Sequence, residues 1–173
     1  MSGTTRCTAP ASQAHRTNSW GRRLRGIELR LSLVALVVGV AGSIQPLPSA
    51  AAASTSLEDA FLSRINHARA ARDIPRLDVG GLISQVAREQ ARRMAERNRL
   101  FHNPQLTTDV TNWRVVGENV GYGPDALTLH QAFMQSSEHR ANLLDRDYTR
   151  VGVGVVVRDG RVWVSEVFKT PLG

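Results

Sequence analysis

Apolar residues at Leu57, Phe61, Ile65 and Ala68 recur at steps of three and four, so they share one helical face and predict a helix over residues 57–72. Ser56 stands as its N-cap, Glu58 and Asp59 fall in its first turn, and Pro75 closes the segment. A second helix is predicted over 81–98. Leu82, Val86, Gln90/Ala91 and Met94 line one side of it. Arg88, Arg92, Arg93, Arg97, Glu89 and Glu96 line the other, which reads as a solvated charged face. Residues 102–123 show neither period. They open with His102-Asn-Pro, end with Gly117-Glu-Asn-Val-Gly-Tyr-Gly123, and read as loop. A third helix follows over 124–135, with Pro124 in its first position and Leu127, His130/Gln131 and Met134 in step. A short helical turn is expected over 138–144. The period then becomes two. Val151-Gly-Val-Gly-Val-Val-Val157 and Val162-Trp-Val-Ser-Glu-Val-Phe168 are strands, joined through Asp159-Gly160, a pair suited to a type I′ hairpin turn. Trp163, in mid-strand, is expected to be buried. Helices followed by paired strands give an α+β class.

Ahead of the first helix the pattern is of another kind. Residues 1–30 hold scattered arginines, residues 31–44 are an apolar run, and small residues surround positions 50–53. That order describes a secretory signal cleaved near 50–53. Arg22-Arg23 hints at a twin-arginine route. The apolar run falls short of the roughly 20 residues a membrane span needs, and an uncleaved membrane anchor is the alternative. The mature protein is then an extracellular monomer of one domain.

Charge and cysteine narrow the function classes. The net charge of +7 suggests a nucleic-acid partner until it is located. Residues 1–53 carry six arginines against the single acid Glu28, leaving sixteen basic and fourteen acidic residues in the rest. The domain is nearly balanced, and no nucleic-acid partner is expected. Cys7 is the one cysteine, so residues 54–173 hold no disulfide, thiolate metal site or cysteine nucleophile.

The polar residues that stand out are His102, Glu118 in its glycine run, and Glu138-His139-Arg140. The chain has no His-Glu-x-x-His and no Gly-x-Ser-x-Gly. Ser136 and His139, three residues apart, share a helical face and make a Ser–His pair geometrically feasible. Glu118 either accepts backbone N–H groups and pins its loop, faces solvent, or holds a partner.

Taken in order, Gly117-Glu-Asn-Val-Gly121, Ser136-Ser-Glu-His-Arg-Ala-Asn-Leu-Leu144, Tyr148-Thr-Arg-Val-Gly-Val-Gly-Val-Val156 and Val162-Trp-Val-Ser-Glu-Val-Phe168 resemble the CAP superfamily. This group comprises cysteine-rich secretory proteins, antigen 5 and pathogenesis-related 1 proteins, and the likeness is to its short, cysteine-poor bacterial branch. It spans residues 57–170. It implies a three-layer α-β-α sandwich around a small antiparallel sheet, with a cleft where two His and one or two Glu converge. Matched by motif, His102 and His139 take the places of the cleft histidines and Glu118 that of the Glu in Gly-Glu-Asn. The family's second cleft Glu is replaced by Ser136 here, with Phe133 at the aromatic position before it and Glu138 close by. Glu166 stands where bacterial members commonly have Gln, at a strand position expected near the cleft.

The resemblance implies Zn or another divalent metal as an optional cofactor, held by His102, Glu118 and His139 with Ser136, Glu138 and Glu166 as accessories. Two imidazoles and a carboxylate suit such a cation. Three function classes follow. One is a secreted binding module for a metal, small ligand or lipid. The second is a hydrolase using metal-bound water or the Ser–His pair. The third is an extracellular interaction protein with a cell-surface partner and no active cleft.

Overall fold

The computed structural model describes residues 49–173; apart from residues 49–53, the expected leader, its arginines and its apolar run lie outside the described residues. The chain runs α1 (Ala50–Ala70), β1 (Asp78–Val79), α2 (Gly81–Arg97), α3 (Leu106–Asp109), β2 (Val115–Gly123), α4 (Ala126–Gln135), α5 (Ser137–Leu144), β3 (Arg150–Arg158) and β4 (Arg161–Thr170). Helix α1 starts earlier than its apolar period. A run of alanines, the best helix formers, extends it back to Ser49, whose hydroxyl accepts from the Ala52 N–H at 3.2 Å. At α4 the cap is Asp125, so Pro124 lies outside the helix rather than at its first position.

The four strands lie in the order β1-β3-β4-β2. β2, β4 and β3 are antiparallel, whereas β1 adds a two-residue parallel pairing, Asp78 to Arg150 and Val79 to Val151. The sheet is therefore mixed rather than purely antiparallel. The β3–β4 turn has Asp159 at φ 51° and Gly160 at φ 70°, the backbone a type I′ turn demands.

Strand alternation sorts the core into two layers. On one face, Val116, Val120, Trp163 and Val167 meet Ile83, Ala87, Met94 and Ala95 of α2. On the other, Val151, Val153, Val155, Val162, Val164 and Phe168 meet Phe61 and Ile65 of α1, Leu129 and Phe133 of α4, and Leu143 of α5. Helices on both faces complete the three-layer α-β-α sandwich. Trp163 is 2% exposed, the buried anchor its strand position implied.

Both amphipathic helices bury part of the expected face, Gln90, Ala91 and Met94 in α2 and His130 in α4, but the stripe is shifted at other positions. Leu82 and Leu127 are exposed, while Ile83, Ala87, Leu129 and Phe133 are buried. For α2 the cause is close approach to the sheet. A Cβ on Gly152 or Gly154 would collide with the α2 backbone at Ser84 or Arg88, so the helix rests on its small Ser84–Ala87–Ala91 side.

Two buried charges tie the layers. Arg69 of α1, with no exposed surface, donates to the carbonyls of Pro75, Leu143, Asp145 and Tyr148 at 2.8–3.2 Å. Glu58 of α1 pairs with Arg88 of α2 at 2.6 Å and accepts the Val155 N–H of β3 at 3.3 Å.

Candidate functional site

Residues 102–123, read from sequence as loop, hold a short helix and a nine-residue strand. Glycine misled that reading. Gly117 and Gly121 lie in β2 because nothing larger fits there: a Cβ would strike the Tyr148 hydroxyl at one and the Phe133 ring at the other. Glu118 is consequently a strand residue. In β2 it points to the α2 side, while Asn119 points to the α4–α5 side.

On the α2 side, Glu118 is 1% exposed and both carboxylate oxygens are engaged. Oε2 accepts from the Asn103 N–H at 2.9 Å and meets Nδ1 of His102 at 2.9 Å, and Oε1 accepts from the Ser165 hydroxyl at 3.1 Å. The loop carrying His102 is held further by buried Gln90 of α2, whose amide donates to the Phe101 carbonyl. With Nδ1–H donated to Glu118, a neutral His102 carries its lone pair on Nε2. That Nε2 is buried and has no hydrogen-bond partner.

On the opposite side, His139 lies in the first turn of α5. Its ring stacks on Phe133 at 4.7 Å and 16°, and its Nδ1 meets the Ser136 hydroxyl at 2.8 Å. Ser136 is also the N-cap of α5. The Ser–His contact anticipated from their spacing is therefore present, and the same hydroxyl serves the helix end. Burial lowers the pKa of His139, and the charge of His102 lowers it further; Glu138 and a hydrogen bond to the Val120 backbone oppose these effects. The two imidazoles are thus electrostatic neighbours, reached from opposite faces of β2, the edge strand of the sheet. Glu138 is exposed and acts on His139 only through its charge.

Glu166 does not line the cleft with Glu118. It faces the other side of the sheet with no exposed surface, directly across from Asn119. Asn119 Nδ2 donates to Glu166 Oε2 at 3.1 Å and to the His139 carbonyl at 3.2 Å. Asn142 Nδ2 donates to Asn119 Oδ1 at 2.9 Å and to the Glu118 carbonyl at 3.3 Å. These amides fasten α5, and hence His139, to β2. Sequence reasoning passed over both, although each lies within a motif that holds a site residue. Burial pushes the Glu166 carboxyl up to about 8, against the lowering bond from Asn119.

A three-residue metal cage is not assembled: among the described residues no group of three His, Cys, Asp or Glu side chains is placed to hold an ion. Glu118 is spent on orienting His102. In this carboxylate–histidine arrangement Glu118 fixes the orientation of the His102 ring.

Residues 62–167 match the model of the cysteine-rich secretory protein family, CAP. A curated relative, the uncharacterized protein YkwD of Bacillus subtilis (strain 168), is 24% identical over an alignment of 129 positions that covers 68% of this chain and 49% of that protein. The chain thus spans about half the length of the curated relative it matches. Among solved structures, an extracellular SCP-domain protein of Bacillus anthracis str. Ames superposes with a TM-score of 0.61 at 23% identity, over 72% of this chain and 44% of that one. An outer surface protein of Borrelia burgdorferi gives 0.61 at 16%, over 66% and 92%. At these identities the likeness is one of fold.

Proposed function

Since the chain belongs to the cysteine-rich secretory protein family, we propose that it is an exported binding protein whose ligand site is the cleft at the free edge of β2. A divalent cation such as zinc is held there by His102 and His139. The observation that carries this reading is the buried, unpartnered Nε2 of His102 behind a fixed Nδ1–Glu118 bond. A lone pair kept dry and aimed by a carboxylate is an unmet acceptor, and an ion or a ligand donor satisfies it. Bound there, a cation would supply Lewis acidity and an attachment point for a small anionic or carbonyl ligand. The chain's own part is to orient the rings, His102 through Glu118 and His139 through Ser136 and Phe133. The lowered pKa of His139 favours the neutral form the ligand role requires.

Calorimetric titration of the untagged protein with zinc tests this. His102→Ala and His139→Ala should each abolish or greatly weaken binding. Glu118→Gln should weaken it by roughly 10–100-fold through loss of orientation. Affinity should fall as pH drops and the imidazoles protonate. Equal binding by the wild type and the His102→Ala, His139→Ala double variant would falsify the site. No binding by any of the proteins would transfer the role to protein–protein contact at the cell surface.

A second reading, hydrolysis by the Ser136–His139 pair, is favoured by their 2.8 Å contact. Esterase turnover that survives chelation and disappears in Ser136→Ala would support it.

A further inference from the structure

Between α1 and α4, on the layer remote from His102, lies a cavity of about 360 Å³ lined by Ala60, Ser63, Arg64, His67, Ala68 and His130. Two of the residues that line it each carry a buried, unpaired polar atom. Nδ1 of His130 is buried with no hydrogen-bond partner, in a residue only 9% exposed. Nε of Arg64 is likewise buried without a partner. Buried polar groups left unpaired cost on the order of 1–3 kcal/mol each, more when charged, and most native ones find a partner.

We propose that this cavity is a binding site for a small oxyanion, a phosphate or a carboxylate, gripped between Arg64 and His130. Ligand and lining are complementary. Arg64 contributes a permanent positive charge and an N–H with no acceptor. His130, once protonated, contributes a second N–H, and the exposed Ser63 a hydroxyl. His67 is a further titratable group on the lining and is exposed. An oxyanion brings several acceptor oxygens and a negative charge into a space that holds donors and no carboxylate. A cation is disfavoured by the arginine. Asp125, the acid whose charge is coupled to Arg64, is occupied at the N-terminus of α4, where it accepts from the Thr128 N–H at 2.8 Å and the Thr128 hydroxyl at 3.0 Å.

The electrostatics of the site agree with an anion-dependent charge state. Burial and the neighbouring Arg64 lower the pKa of His130, so without an anion the ring is neutral near pH 7. A bound anion reverses the sign of the local field and raises that pKa. By linkage the anion must then bind more tightly as pH falls.

The test is titration of the full chain with inorganic phosphate and, separately, with acetate, following the His130 imidazole proton resonances and heats of binding. A saturable shift with either probe supports the site, and which probe binds more tightly identifies the oxyanion class. Affinity for acetate, whose charge is constant over this range, should rise from pH 8 to pH 6. Arg64→Gln should weaken binding by roughly tenfold or more, and Arg64→Lys, which keeps the charge and loses the fork, by less. Both variants should bind zinc as the wild type does, which separates this proposal from the β2 cleft. Absence of saturable shifts with both probes, or unchanged affinity in Arg64→Gln, would overturn it.

Discussion

At the scale of single residues, the most telling position is Glu166. Its carboxyl titrates at about 8 because burial opposes the charge more than Asn119 supports it. The folded carboxyl therefore binds protons more tightly than the unfolded one, whose ordinary value is 4.5. Its destabilising effect is absent below about pH 4.5, grows as pH rises, and is complete above about pH 8. Glu166→Gln keeps an acceptor for Asn119 and removes the ionisable group. The variant should exceed wild type in stability at pH 9 by on the order of 2–4 kcal/mol, and by little at pH 5. His130 and His139, whose lowered pKa values make folding lose stability at acid pH, are common to both proteins and cancel in the difference. Denaturant melts at the two pH values decide the matter, and a constant difference would sink it. Residues of this kind were only partly legible in the sequence. Glu118, His102 and His139 stood out because their types and motifs did. The partners that aim them, Asn119, Asn142, Ser165 and Gln90, are ordinary polar residues whose importance arises from burial, and burial is set by contacts distant along the chain.

At the scale of elements, the hairpin of β3 and β4 was readable because its signals are local: period two, a turn dipeptide, and positive φ at both turn residues. β2 was not, because three glycines in nine residues mimic a loop and because its pairing partner, β4, begins 38 residues after β2 ends (161 − 123). β1 was missed since two residues carry no period. The glycines of β3 show how close approach sets residue choice. Gly154 lets the α2 backbone settle against the sheet, so Gly154→Ala should force the helix outward and cost roughly 1–3 kcal/mol, despite the higher strand propensity of alanine. Gly160→Ala is a useful comparison, since space is open there and only the positive φ opposes it. Thermal melts of both should show the larger loss at Gly154. The reverse order would mean that backbone strain, and not the helix–sheet spacing, governs these positions.

For the whole molecule, the expected export signal meets the first helix. Cleavage near 50–53 would remove the Ser49 cap and the first turn of α1. The chain carries replacements, for Ser54 and Ser56 stand where a shortened helix would begin, and the buried positions start only at Glu58 and Phe61. N-terminal sequencing of the exported protein should read a start between residues 51 and 54, with a melting temperature close to that of the uncleaved chain; a start at Met1 or Ser2, recovered only with membranes, would favour the anchor. The pair formed by Glu58 and Arg88 has a wider consequence for the molecule in solution. β1 covers β3 only at Arg150 and Val151, so the rest of the outer rim of β3 has no strand partner. Such a rim invites strand addition by another chain. Glu58 occupies the Val155 donor, and a clasp from helices in opposite layers closes over the place where a foreign strand would dock. The ion pair thus stands in for a strand along part of this edge, and Glu58→Ala should leave the Val155 N–H unpaired and open to a copy of the chain, which a rise in self-association measured by light scattering would show.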